Sequence, residues 1–189
     1  RGGMEITSTR IDDTLVNAAA SYCTAKGWEC NICLLDNGAV VDNLAQILSC
    51  FRGDVIYSGT NFKMKYTDLN YESSVMDIDE DDIIEINGVS TFKIVQPDIF
   101  GTPNAIRMKF YNEAKLWQID DYVLSDSDAI TADGDYREKE IYVRGVDNLE
   151  DAQKMANYNL ERLRYNKTIA FVMGSRGMAL EPYDIFRVT

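Results

Sequence analysis

The residues with the most chemical capacity in this 189-residue chain are four cysteines and a surplus of carboxylates. Cys23, Cys30, Cys33 and Cys50 all lie in the first 50 residues, and Cys30-x-x-Cys33 has the spacing of a zinc or redox pair. The stretch from Glu29 to Leu35 reads as a strand, however. Residues three apart on a strand face opposite ways, whereas zinc ribbons hold such a pair on a turn. The cysteines are therefore expected to be reduced, buried thiols acting as small hydrophobes in a reducing compartment.

Asp77, Asp79, Asp81 and Glu85 alternate with other residues as in part of a calcium loop, because hard cations need several converging carboxylate oxygens. An EF-hand requires glycine at its sixth position and glutamate at its twelfth, and those positions here hold Asp82 and Gly88. Asp126, Asp128, Asp133 and Asp135 around Gly134 form a second acidic stretch. Both are expected to be solvated surface. A carboxylate pair could also hydrolyse a glycoside, but 31 acidic residues offer too many pairs to choose among, and Trp28 and Trp117 read as core aromatics. Gly174-x-x-Gly177 lacks the Lys-Ser/Thr and the following helix of a phosphate loop, so it reads as a turn. No catalytic, cofactor-binding or metal-ligating residue is assigned. A carboxylate-dependent glycoside hydrolase or a calcium-binding module stands as the alternative reading.

Composition narrows the classes further. The chain has no histidine, which removes Ser/His and Cys/His nucleophiles and imidazole metal ligands. Its 31 acidic and 19 basic residues give a net charge of -12, the opposite of a nucleic-acid binder's footprint. With 46% hydrophobic and 26% charged residues it has a globular composition. Its apolar runs fall well short of the roughly 20 residues of a membrane span, so a soluble chain is expected. It opens Arg1-Gly2-Gly3-Met4 without a signal-type segment, and reads as a piece of a longer chain or one carrying a cleavage scar.

The elements that must position these residues divide the chain in two. Asp12 caps a first helix, with Ile11 stapling to Val16, and Gly27 stops it. The strand from Glu29 leads through Asp36-Asn37-Gly38 into a second helix, whose apolar stripe includes Val40, Val41, Leu44 and Leu48. Val55 to Ser58 and Phe62 to Tyr66 read as a hairpin around Gly59-Thr60-Asn61. The polar segment Thr67 to Ser74 and the acidic run Asp77 to Asp82 mark a boundary. Strands are expected at Thr91 to Val95, Ala105 to Tyr111, Leu116 to Leu124, Glu140 to Val143, Thr168 to Met173 and Ile185 to Val188, with Ser125 to Tyr136 a polar loop. Asp147 and Glu150 read as the capping box of a long helix near 148–165, with Leu149, Ala152, Ala156, Leu160 and Leu163 facing inward. The expected fold is α+β: a small helix-on-sheet domain over 1–70, then a mostly antiparallel, barrel-like β domain over 71–189 carrying one long helix.

The order of short motifs carries a family resemblance. Gly145-Val146-Asp147-Asn148 opens a helix with Ala152 and Arg162; Thr168-Ile169-Ala170-Phe171 and Gly177-Met178-Ala179-Leu180-Glu181-Pro182-Tyr183-Asp184-Ile185 follow. This series resembles the central region of the phage tail-tip hub family, whose members include the tip attachment proteins of lambda-like siphophages and which is related to baseplate hubs. The Cys30 to Leu34 stretch, the Ala45 to Cys50 helix, the Gly59 to Tyr66 arm and Asn104-Ala105-Ile106 extend the resemblance over most of the chain. The family's Pro-Gly-Asp is Pro182-Tyr183-Asp184 here, so a positive φ at that position would strain Tyr183 by about 1 kcal/mol.

The resemblance implies a structural component of a phage or prophage tail, assembled in the host cytoplasm. It would form part of a homotrimeric ring at the distal end of the tail tube. Its partners would be other tail-tip and tube proteins, with no enzymatic activity and no cofactor; the net charge adds no tight nucleic-acid binding, and the short apolar runs no membrane span, to these expectations.

Overall fold

The computed structural model describes residues 6–34, 39–67, 74–96, 101–165 and 167–189. Helix α1 (Asp13–Lys26) starts where the Asp12 carboxylate accepts the Leu15 N–H, and stops at Gly27 in the left-handed conformation at φ 65°. Helix α2 (Val40–Ser49) ends at Cys50, and strands β1 (Gly53–Ser58) and β2 (Asn61–Tyr66) then form the expected hairpin. Tyr22 of α1 stacks on Tyr66 of β2 with ring centroids 4.2 Å apart, which seats the helix on the hairpin.

Short strands follow: β3 (Met76–Ile78), β4 (Glu85–Ile86), β5 (Val89–Ser90) and β6 (Lys93–Val95). The longest are β7 (Ala105–Asn112) and β8 (Gln118–Ser125), paired antiparallel over their whole length. Helix α3 (Ser127–Asp133), strand β9 (Glu138–Tyr142), helix α4 (Leu149–Arg164) and strands β10 (Thr168–Ala170) and β11 (Phe186–Val188) complete the order. β7 is the centre of a three-stranded sheet, with β9 parallel on its other side. β10 pairs with β6 and β11 with β3, so the end of the chain returns to the region around residues 76–95. The class is α+β, as the patterning indicated, and among the described residues the strands form small separate sheets with no closed barrel.

The core lies between the three-stranded sheet and α4. Ile106, Met108 and Phe110 alternate along β7 and face Ala152, Met155, Ala156 and Leu160, all buried. Tyr22, Trp28 and Cys50 join the same cluster from the first part of the chain. On the other face of β7, Arg107 pairs with Asp121 and Glu138, and Lys109 with Glu140. Cross-strand ions thus keep that face in water.

Four expectations need correction. Residues 29–34 are not a strand. Met155 and Tyr158 help form the buried face of α4, while Leu149, in its first turn, is exposed. The cap of that helix is Asn148, which accepts the Asp151 N–H at 2.8 Å. The stretch 125–136 contains α3, capped by the Asp126 carboxylate and ended by Gly134 at φ 70°. The expected Asp36-Asn37-Gly38 turn, and residues 68–73 of the polar boundary segment, lie outside the described residues.

Candidate functional site

Part of each acidic stretch is tied up internally, while Asp77, Asp79, Asp81, Glu85, Asp128 and Asp135 are exposed, as expected. In the first, Asp79 caps a 3-10 turn by accepting the Asp81 and Asp82 N–H groups, and Asp82 pairs with Arg176 at 2.5 Å. Arg176 holds the Asp82 carboxyl below the usual carboxylate range. In the second, Asp133 pairs with Arg137 and Arg164 and accepts Asn104 Nδ2, joining the end of α3 to α4 and to the residues just before β7 and β9. Burial pushes Asp133 up, but Arg164, Asn104 and Arg137 outweigh it and the carboxyl lies below its ordinary value. Among the described residues no three His, Cys, Asp or Glu side chains converge as a metal would require.

Cations or donors also lower Asp120, Glu138, Glu150 and Glu181, at separate places on the surface. A glycoside hydrolase needs the opposite, a carboxylic acid raised towards neutrality and facing a second carboxylate.

An open cleft of 760 Å³ lies between the segment before α2, α2 itself and the tip of the β7–β8 hairpin. Asn31, Asn43, Gln46, Asp42, Arg144 and Trp117 are among its lining residues. Among the described residues that line it, Asp42 is the single carboxylate, where sugar hydrolysis demands a pair. Trp28 is core, as expected, but Trp117 is 50% exposed, at the hairpin tip where Leu116 and Trp117 sit at φ 57° and 61°.

Two constellations were not apparent as sites in the sequence. The first is a clasp between the chain's end and the β1–β2 hairpin. Glu181 accepts Ser58 Oγ at 2.7 Å and Lys63 Nζ at 2.5 Å, and Asp184 accepts Lys65 Nζ at 3.0 Å. Tyr183, at φ 70°, donates its hydroxyl to Asp54. The position where the hub motif carries glycine thus holds the left-handed conformation, and the phenol gains a partner there.

The second lies under the Gly145-Val146-Asp147-Asn148 motif. A Cβ on Gly145 would come within 2.3 Å of Cys50 Sγ and 3.1 Å of Cys30 Sγ, so only glycine lets this backbone cross the two thiols. Its carbonyl accepts the Asn31 N–H at 3.0 Å, and buried Asp147 accepts Asn31 Nδ2 at 2.5 Å. The cysteines are free, but Cys30 and Cys33 are exposed and Cys23 is partly so, leaving Cys50 as the buried one. The strand expected to bury Cys30 and Cys33 does not form, which corrects the small-hydrophobe reading for both.

Apolar side chains are widely exposed. Leu116 is 86% and Met178 82% accessible, and Val41, Val75, Val89 and Tyr165 are also exposed. The accessible surface is 12633 Å² for 21.4 kDa, where a compact monomer of that mass exposes about 9,100 Å². Exposed apolar side chains of this kind are what an interaction surface presents.

Two solved structures share the fold. A chain from the virion of a native gene transfer agent particle superposes with a TM-score of 0.63 at 14% identity, covering 92% of this chain and 41% of that one. The tail protein from Neisseria meningitidis MC58 superposes with a TM-score of 0.59 at 14% identity, covering 93% of this chain and 56% of that one. This chain thus spans about half of each or less. No curated protein matches it. Residues 39–189, which hold α2, the clasp, the three-stranded sheet, α4 and the closing strands, match the family described as "Putative phage tail protein". The chain belongs to that family and is a structural component of the virion tail.

Proposed function

We propose that the chain is part of the tail-tip hub, one of three copies in a ring at the distal end of the tail tube, with no catalytic role. The observation that carries this reading is the surface. Large apolar side chains, Leu116 at 86% and Met178 at 82% among them, stand exposed across it, as on a chain that packs against others. The co-linear hub motifs support the same reading, since Gly145 and Tyr183 occupy positions with distinct structural requirements. The net charge of -12 suits a ring through which nucleic acid passes, because like-charge repulsion disfavours phosphate binding. An acidic inner wall follows from this reading.

Immunogold labelling of intact particles with antibodies raised against this chain tests the location. A single cluster at the distal end of the tail is expected. Label spaced along the tube would make it a tube protein and end the hub reading.

A further inference from the structure

We propose that Cys30 and Cys50 are a redox-active pair that closes into a disulfide when the protein meets an oxidising small-molecule disulfide. Their sulfurs are 3.3 Å apart, joining segments 20 residues distant in sequence. A disulfide is about 2.05 Å long, so closure needs an approach of little more than an ångström. The two thiols have complementary settings. Cys30 is exposed and open to attack on a dissolved oxidant, while Cys50 is fully buried, its thiol against Cys30 Sγ and the Gln46 carbonyl. The Gly145 backbone crosses directly over both sulfurs and holds them together, with its carbonyl fixed by the Asn31 N–H. Contact with the Cys50 thiol pulls Cys30 down, against burial and the Asp147 charge, and the same contact together with burial pushes Cys50 up. This makes Cys30 the attacking thiolate and Cys50 the resolving thiol. Cys33, three residues on, lines the cleft instead.

The chemistry balances with glutathione disulfide as the oxidant. The Cys30 thiolate attacks one sulfur, breaking the glutathione S–S bond and releasing one glutathione thiolate. Cys50 loses its proton to solvent and attacks the Cys30 sulfur of the mixed disulfide, releasing the second. Two electrons and two protons pass from the cysteine pair to one glutathione disulfide, giving two glutathione thiols. A tail protein made inside a reducing cell meets oxidising conditions on release. The bond would then tie the segment after α1 to the end of α2 in the released particle.

The test is incubation of the purified protein with glutathione disulfide, followed by alkylation under denaturing conditions and peptide mapping. The expected result is a Cys30–Cys50 cross-linked peptide, two alkylatable thiols in place of four, and a Tm rise of roughly 5–10 °C that dithiothreitol reverses. Cys30→Ser abolishes both changes and, being exposed, leaves the fold intact; Cys33→Ser leaves both changes in place. Four alkylatable thiols after oxidation of the wild type, or a cross-link that Cys33→Ser removes, would overturn the assignment.

Discussion

Tyr183 and Asp54 are 129 residues apart in sequence, and the phenol hydroxyl of the first donates to the carboxylate of the second. Tyr183 holds φ 70° to do so, a conformation that favours glycine. Strain and bond therefore oppose one another at one residue.

Substitution separates them. Tyr183→Phe keeps the strained backbone and loses the hydrogen bond, and should destabilise by about 0.5–1 kcal/mol at this half-exposed site. Tyr183→Gly loses the bond too but relieves about 1 kcal/mol of backbone strain, so it should be no less stable than Tyr183→Phe. Urea denaturation of the two variants would give this order. A glycine variant less stable than the phenylalanine one by more than 1 kcal/mol would mean that the aromatic ring's packing outweighs both terms.

The core makes a sharper contrast. Phe110 is fully buried between the sheet and α4, and Phe110→Ala should cost about 3–5 kcal/mol. Leu149→Ala should change stability by less than about 0.5 kcal/mol, because Leu149 is exposed despite its place in the apolar spacing of the helix. Thermal melts of both variants would show it.

Asp133 gives a pH dependence with a definite sign. Its folded-state carboxyl lies below the ordinary value, so its contribution is present above the unfolded pKa of about 4 and is lost as pH falls through the lower folded value. Asp133→Asn should lower Tm at pH 7, and the gap from wild type should narrow steadily below about pH 4. A gap independent of pH would show that the Arg137 and Arg164 pairs contribute nothing.

Local signals were readable in the sequence where local physics decides. Asp12 and Gly27 bound α1 as their side chains require, the β1–β2 hairpin follows its turn, and β7 keeps its apolar alternation. Misreadings arose where a distant residue takes part. Asp147 and Asn148 can both cap a helix, and the choice falls to Asn148 while Asp147 accepts Asn31 from 116 residues away. Helix α3 was hidden by its polarity, since Ala129 is its single buried residue, although Asp126 and Gly134 are ordinary start and stop signals. Trp117 reads as core by type, and the left-handed turn at Leu116 and Trp117 exposes it. The spacing of Cys30 and Cys33 drew attention to the wrong pair, because the partner of Cys30 is fixed by the crossing of Gly145.

A trimeric hub fixes the number of copies in each particle at three. Quantitative mass spectrometry of purified particles, with isotope-labelled peptides from this chain and from the tube protein, would count both. The account predicts three copies per tail against a large and length-dependent number of tube subunits. A number that scales with tail length would contradict it.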